Sequence, residues 1–270
     1  MSQARPGGPV GIDAYSPKEI AARVEAAGVS KATLPLVPLF ALALLAGAFI
    51  ALGAMFYTLT ITGSPFGFGP TKALGGLVFS LGLILVVVAG AELFTGNALI
   101  VIAWVDGKIP LAALLRNWGV VYLGNLIGSL VMAALMAGSG ALDTGDGAVA
   151  ATAAAIAEAK TGLSFGEAFL RGVLCNILVC LAVWLSLAAH TVSGKILAIL
   201  FPIAAFVALG FEHSVANMYL IPIGQLAGEG LALGPFLGNL IPVTLGNILG
   251  GGVLVGLTYY LCYLWPGRGA

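Results

Sequence analysis

The sequence predicts an all-α integral membrane protein of six transmembrane helices, built as two inverted three-helix repeats with the second and fifth helices broken. Three observations carry this expectation. Of the 270 residues, 60% are hydrophobic and only 8% charged, against roughly 25% charged in soluble domains. The apolar segments suffice for about six spans of ~20 residues each. The pattern G-x-E-x-x-x-x-N occurs twice, from Gly90 to Asn97 and from Gly210 to Asn217, each time inside an apolar run. Gly, Glu and Asn in a hydrophobic span are costly unless protein or a water-filled cavity satisfies them. Paired interruptions in corresponding halves point to a transport site made of broken helices.

Residues 1–30 read as a cytoplasmic N-terminal segment. The first 15 are Gly/Pro-containing and expected to be loose. A helix then starts at Ser16-Pro17-Lys18-Glu19, with a capping Ser, Pro at the first helical position and Glu three residues after the cap. Ile20, Ala21, Val24 and Ala27 share one face. This short amphipathic helix is too polar to span. Lying on the membrane surface, gating the channel mouth and contacting a neighbouring subunit are all open to it. No cleavable signal peptide is visible, because the first 30 residues carry both charge signs and no apolar core.

Residues 31–270 read as one transmembrane domain. Span one covers about 35–58 and span two about 72–103, overlong and divided at the first pattern. A turn at Asp106 to Pro110 leads to span three, about 114–136. The stretch 138–165 is mostly loop, with a local helix favoured over the alanine run 150–157. Spans four, five and six fall at about 167–189, 195–226 and 239–264, the fifth broken at the second pattern. A second echo supports duplication: Leu123-Gly124-Asn125 in span three matches Leu245-Gly246-Asn247 in span six. The repeats thus cover about 35–137 and 166–264. Each holds an odd number of crossings, so the second copy inserts upside down. With the N-terminus inside, Arg5, Lys18, Arg23, Lys31, Lys108, Arg116, Lys195 and Arg268 are cytoplasmic, against Lys72, Lys160 and Arg171 outside. That bias places both termini in the cytoplasm.

A broken membrane helix exposes N–H groups at its new N-terminus, and the positive dipole end attracts anions. Thr95 and His213 add side-chain donors, and neither break contains a Lys or Arg that would trap an anion. Glu92 and Glu212 are ligands, gates or, preferably, loop scaffold: carboxylates accepting backbone N–H bonds, with Asn97 and Asn217 beside them. His213 is one of two histidines and titrates nearest neutrality, so within a membrane a functional role is favoured over a merely structural one. Phe79, Leu83, Leu93, Phe94 and Phe206 flank these positions and read equally as core or as pore constrictions. Net charge is zero, so nothing points to nucleic acid. Cys175, Cys180 and Cys262 lack metal-ligand spacing and read as buried thiols. Neither a metal nor a cofactor is expected, and no nucleophile–base pair suggests an enzyme.

Four segments, Glu92 to Asn97, Arg171 to Ala182, Gly210 to Met218 and Asn239 to Asn247, resemble the signature segments of the formate/nitrite transporter family, in the same order. The resemblance extends over about residues 15–264. It implies an aquaporin-like protomer in a homopentamer with one anion pathway per protomer. It further implies Phe79, Phe94 and Phe206 at an outer slit, Leu83 and Leu93 at an inner constriction, and Thr95, Asn176 and His213 as polar central residues. Lys160 matches a vestibule lysine that draws anions in, and the loop in span two matches a mobile gating loop. The segments Val24 to Ala32 and Phe79 to Leu85 look nearer the formate branch than the nitrite or hydrosulfide branches.

The expected function is therefore passage of a small monovalent anion, formate first and nitrite or hydrosulfide second, across the cytoplasmic membrane of a prokaryote. Formate is expected to cross as the acid, with His213 relaying the proton. A water- or glycerol-like pore is disfavoured, because neither break carries Asn-Pro-Ala.

Overall fold

The computed structural model describes residues 14–228 and 230–265. Most of the expected loose N-terminal stretch, and Arg5, Glu229 and Arg268, lie outside the described residues.

Ten longer helices order the described chain, with a short 3-10 turn at Ala141–Asp143 between the fifth and the sixth. The first five are α1 (Pro17–Ala32), α2 (Leu36–Ile61), α3 (Phe68–Gly90), α4 (Gly96–Val105) and α5 (Leu111–Gly138). The second five are α6 (Ala148–Thr161), α7 (Phe165–Ala188), α8 (Val192–Ala208), α9 (Ser214–Ala227) and α10 (Leu233–Tyr263). Five of them, α2, α3, α5, α7 and α10, are long and apolar enough to cross a membrane. The overlong second and fifth spans are each divided, into α3 with α4 and α8 with α9. The alanine run expected to be helical lies within α6.

Both divisions start at a glycine. Gly90 has φ +88° and Gly210 φ +71°, the left-handed region that costs other residues energy and glycine little. Ahead of the first break, Leu85–Gly90 winds as a π-helical turn, and the chain then runs extended at Ala91 (φ −153°, ψ 164°). Across both glycines the backbone makes the same reach: Ala91 N–H donates to Val86 O at 2.9 Å, and Phe211 N–H to Phe206 O at 3.0 Å.

Glycine also sets the tightest helix contacts. A Cβ on Gly128 of α5 would collide with the Leu44 carbonyl of α2, and one on Gly250 of α10 with the Val173 carbonyl of α7. In lipid, where apolar surface gains nothing by leaving the solvent, such close approach supplies the packing. At the centre lies α9, buried on every face from Ser214 to Gly224, as suits a helix surrounded by protein.

The amphipathic helix α1 starts as its sequence predicts, with a complete capping box between Ser16 and Glu19. Ile20, Ala21 and Val24 are buried in one cluster with Leu99 and Ile102 of α4. Val24, Ala27, Gly28 and Lys31 border a cavity beside the first break. Among the described residues α1 thus packs against α4 and this cavity.

Candidate functional site

The two breaks meet at a single hydrogen bond. Thr95 Oγ1 lies 2.8 Å from His213 Nε2, with both residues buried. His213 is the N-cap of α9, and its Nδ1 accepts the Ala216 N–H at 3.0 Å. A nitrogen that accepts carries no hydrogen, so in the neutral ring the proton sits on Nε2 and is donated to Thr95. The threonine hydroxyl then keeps its own hydrogen to give elsewhere. Asn176 steadies this corner by donating to Thr95 O at 3.1 Å and to Asn247 O. The Cys180 thiol also reaches Thr95 O, at 3.4 Å.

Each break is held by the same four-residue network. Glu92 accepts from Lys31 Nζ at 2.6 Å and from Asn97 Nδ2 at 2.7 Å; Glu212 accepts from Lys160 Nζ at 2.9 Å and from Asn217 Nδ2 at 2.6 Å. Asn97 also donates to Asn117, which returns to Lys31 O. In the second half Asn217 donates to Asn239, which returns to Lys160 O. These carboxylates therefore bind side chains rather than the backbone N–H groups expected from sequence.

Two further asparagines hold the backbone itself. Asn125 accepts the Phe94 N–H at 2.9 Å and donates to Glu92 O and Ala43 O. Asn247 accepts the Ser214 N–H at 2.9 Å and donates to Glu212 O and Gly172 O. Several N–H groups expected to face an anion are thus already used. At the start of α9 the N–H of Ser214 goes to Asn247, that of Ala216 to the imidazole and that of Asn217 to His213 O. What the centre offers an anion is the helix dipole and the Thr95 hydroxyl.

Two cavities flank this contact. One, of about 430 Å³, is bordered by Leu83, Leu93, Lys31 and Glu92. The other, of about 180 Å³, is bordered by Phe79, Phe206, Lys160, Glu212 and His213. Phe79 and Phe206 meet edge to face with centroids 5.6 Å apart, and Phe206 stacks on the His213 ring at 5.7 Å. Leu83 lies one helical turn beyond Phe79, about 6 Å along the axis. Phe94 has other company: its ring meets Tyr122 at 4.8 Å and Trp118 at 6.1 Å, and it lines neither cavity.

Sequence reasoning missed Lys31, Asn117 and Asn239. It read Asn125 and Asn247 as marks of duplication, and Asn239 and Asn247 as the ends of a resembling segment, without giving any of them a role. The recurrence of Gly-Asn at matching places in spans three and six was the available signal for these clamps.

Comparison with known proteins gives consistent results. The family described as "Formate/nitrite transporter" matches residues 18–261. The chain is 43% identical to "Formate channel FocA" of Escherichia coli, over 94% of this chain and 96% of that one. It is 46% identical to "Uncharacterized transporter YrhG" of Bacillus subtilis, over 92% and 93%. Among solved structures it resembles "Pentameric formate channel with formate bound" with TM-score 0.79 and 42% identity, over 85% of this chain and 98% of that one. An "FNT family ion channel" superposes with TM-score 0.82 at 32% identity, over 90% and 98%.

Proposed function

The chain belongs to the formate/nitrite transporter family, and from that premise we propose that it is a channel for small monovalent anions with formate as its principal substrate. On this reading it works as a homopentamer in the cytoplasmic membrane of a prokaryote, with inverted repeats and both termini on the cytoplasmic side. The observation that carries the proposal is the Thr95–His213 contact, with Phe79 and Phe206 lining the cavity that His213 borders and Leu83 and Leu93 lining the other. A small anion finds the Thr95 hydroxyl as a donor there and no cation within the breaks to trap it. The apolar walls exclude hydrated ions and larger solutes. Relatives named as formate channels support the choice of cargo.

The chemistry of passage follows from the ring's tautomer. A carboxylate substrate is charged at neutral pH, and a bare charge is costly between dry walls. Thr95 O–H donates to the anion while His213 Nε2–H donates to Thr95, spreading the charge over a short chain of donors. Relay of a whole proton from His213 requires a ring protonated at both nitrogens. The Ala216 bond to Nδ1 must open first. Donation by the neutral ring requires no such step and is the better supported reading.

Uptake of labelled formate, nitrite and hydrosulfide into proteoliposomes, each competed by the others, tests the assignment. Formate is expected to enter fastest and to be least displaced. Preferential nitrite or hydrosulfide entry would reassign the cargo, and glycerol entry at a similar rate would refute an anion channel.

A further inference from the structure

The two breaks are held by matching networks, yet the helices that follow them start differently. From Ser214 onward α9 is α-helical, capped by the His213 ring. By contrast α4 has no side-chain cap and opens with a 3-10 turn, Gly96–Ile100. In a regular α-helix the Val101 N–H would donate to Asn97 O. Here it goes to Ala98 O and Leu99 O, while Asn97 O accepts the indole N–H of Trp118 at 2.9 Å.

Trp118, Tyr122 and Asn125 share one face of α5 at helical spacing, and all three hold the first break. The Trp118 and Tyr122 rings meet Phe94 edge to face at 6.1 Å and 4.8 Å, and Asn125 accepts the Phe94 N–H. Counted back from the two clamping asparagines, the corresponding residues of α10 are Leu240, Thr244 and Asn247. Among these only Asn247 hydrogen-bonds the second break through its side chain. The Thr244 hydroxyl donates to Leu240 O and so accepts from the Tyr122 hydroxyl at 2.9 Å. Even that residue of the second half supports the brace of the first.

We propose that Trp118 is a positioning residue for the Thr95 hydroxyl, holding the start of α4 in the 3-10 winding that sets Thr95 against His213. This rests on the anion-channel reading and adds a residue that lines neither cavity. A 3-10 helix turns about 120° and rises about 2.0 Å per residue, against about 100° and 1.5 Å in an α-helix. Without the indole, Asn97 O is open to the Val101 N–H. Rewinding across the two residues from Asn97 back to Thr95 turns the threonine by about 40° and moves it by about 1 Å. That shift breaks the 2.8 Å contact with His213 Nε2, and a misplacement of about 1 Å lowers rates by up to about a hundredfold. Asn176 holds the Thr95 carbonyl; the indole holds the turn that follows it. The second break needs no such brace, because the cap of α9 is the functional ring itself.

The test measures initial [14C]formate uptake into proteoliposomes over a concentration series, separating maximal flux from half-saturation, with a melting curve for each protein. Trp118→Phe keeps a ring against Phe94 and removes the N–H. Its maximal flux is expected to fall roughly fivefold, with half-saturation within about twofold of wild type. Trp118→His keeps a ring N–H at the same reach from the backbone and is expected within about twofold of wild type. In a Thr95→Val background Trp118→Phe is expected to change flux less than about twofold, because the brace acts through that hydroxyl. Trp104→Phe, at an exposed indole bordering neither cavity, has no effect. If Trp118→Phe does not fold, Trp118→Leu, which copies the residue of the other half, replaces it. Failure of both to fold would make Trp118 a folding residue only and overturn the proposal. Wild-type flux in Trp118→Phe, losses that multiply in the double variant, a Trp118→His as slow as Trp118→Phe, or a loss with Trp104→Phe would each overturn it too. A wild type that admits no formate defeats the channel reading; normal wild-type uptake with unaltered Trp118 variants defeats the positioning role alone.

Discussion

Thr95 accepts the Nε2 proton of His213 at 2.8 Å, which leaves its own hydroxyl hydrogen to give to a passing anion. Replacement by Val keeps the shape and removes the donor. A hydrogen bond to a charged partner contributes about 1.5–3 kcal/mol, so Thr95→Val is expected to slow formate flux by roughly ten- to a hundredfold. Initial uptake rates in proteoliposomes check this, with a melting curve to show that the fold is retained. At this scale the sequence was informative where chemistry is unusual for its surroundings. A lone titratable ring in an apolar run identifies His213 whatever its rotamer. It could not show that Nδ1 caps α9, because that depends on the turn at Gly210 (φ +71°). Nor could it show that Phe94 turns toward Trp118 and Tyr122, since ring direction follows local backbone geometry.

The elements around the breaks depend on Asn125 and Asn247. Each side chain bonds one N–H and one carbonyl of the buried loop and ties them to a carbonyl of a neighbouring helix, Ala43 O in α2 or Gly172 O in α7. Asn125→Leu and Asn247→Leu strand those groups and are each expected to destabilise by roughly 2–4 kcal/mol. Matching falls in melting temperature check both that magnitude and the equivalence of the halves; a large fall in only one would deny the equivalence. The structure also pairs α1 with α6 as equivalents, since each ends in the lysine of a Lys–Glu–Asn–Asn network. Sequence spacing concealed this, because Lys31 and Lys160 stand further apart than the paired Glu residues and the two helices share little pattern.

Another expectation at the element scale concerns acid. The Ser16 hydroxyl and backbone N–H hold the Glu19 carboxyl below its usual range. A lowered folded value means that the cap's contribution is complete above the unfolded value, near 4.3, and is lost as pH falls through the folded one. Amide exchange in the first turn of α1 should therefore accelerate, relative to its intrinsic rate, below about pH 4. In Glu19→Gln, which has no charge to lose, that pH dependence should vanish.

Across the whole molecule, repetition is the organising fact. Two five-helix halves bring their interrupted helices together, and the polar groups that break them are satisfied by protein on nearly every side. Composition and the twice-used G-x-E-x-x-x-x-N pattern were enough to read the membrane class and the duplication. The meeting of the breaks and the unequal cavities required the fold, because they arise between segments more than a hundred residues apart. The central claim is that formate crosses at the Thr95–His213 contact. His213→Asn isolates it, because Asn is a strong N-cap that keeps an acceptor for the Ala216 N–H while losing the Nε2–H donor. The measurement is [14C]formate uptake by proteoliposomes carrying wild-type or His213→Asn protein at neutral pH. The expected result is rapid uptake by the wild type and at least a tenfold slower rate in the folded variant. Equal rates in the two would contradict passage through this contact and leave His213 as the cap of α9 alone.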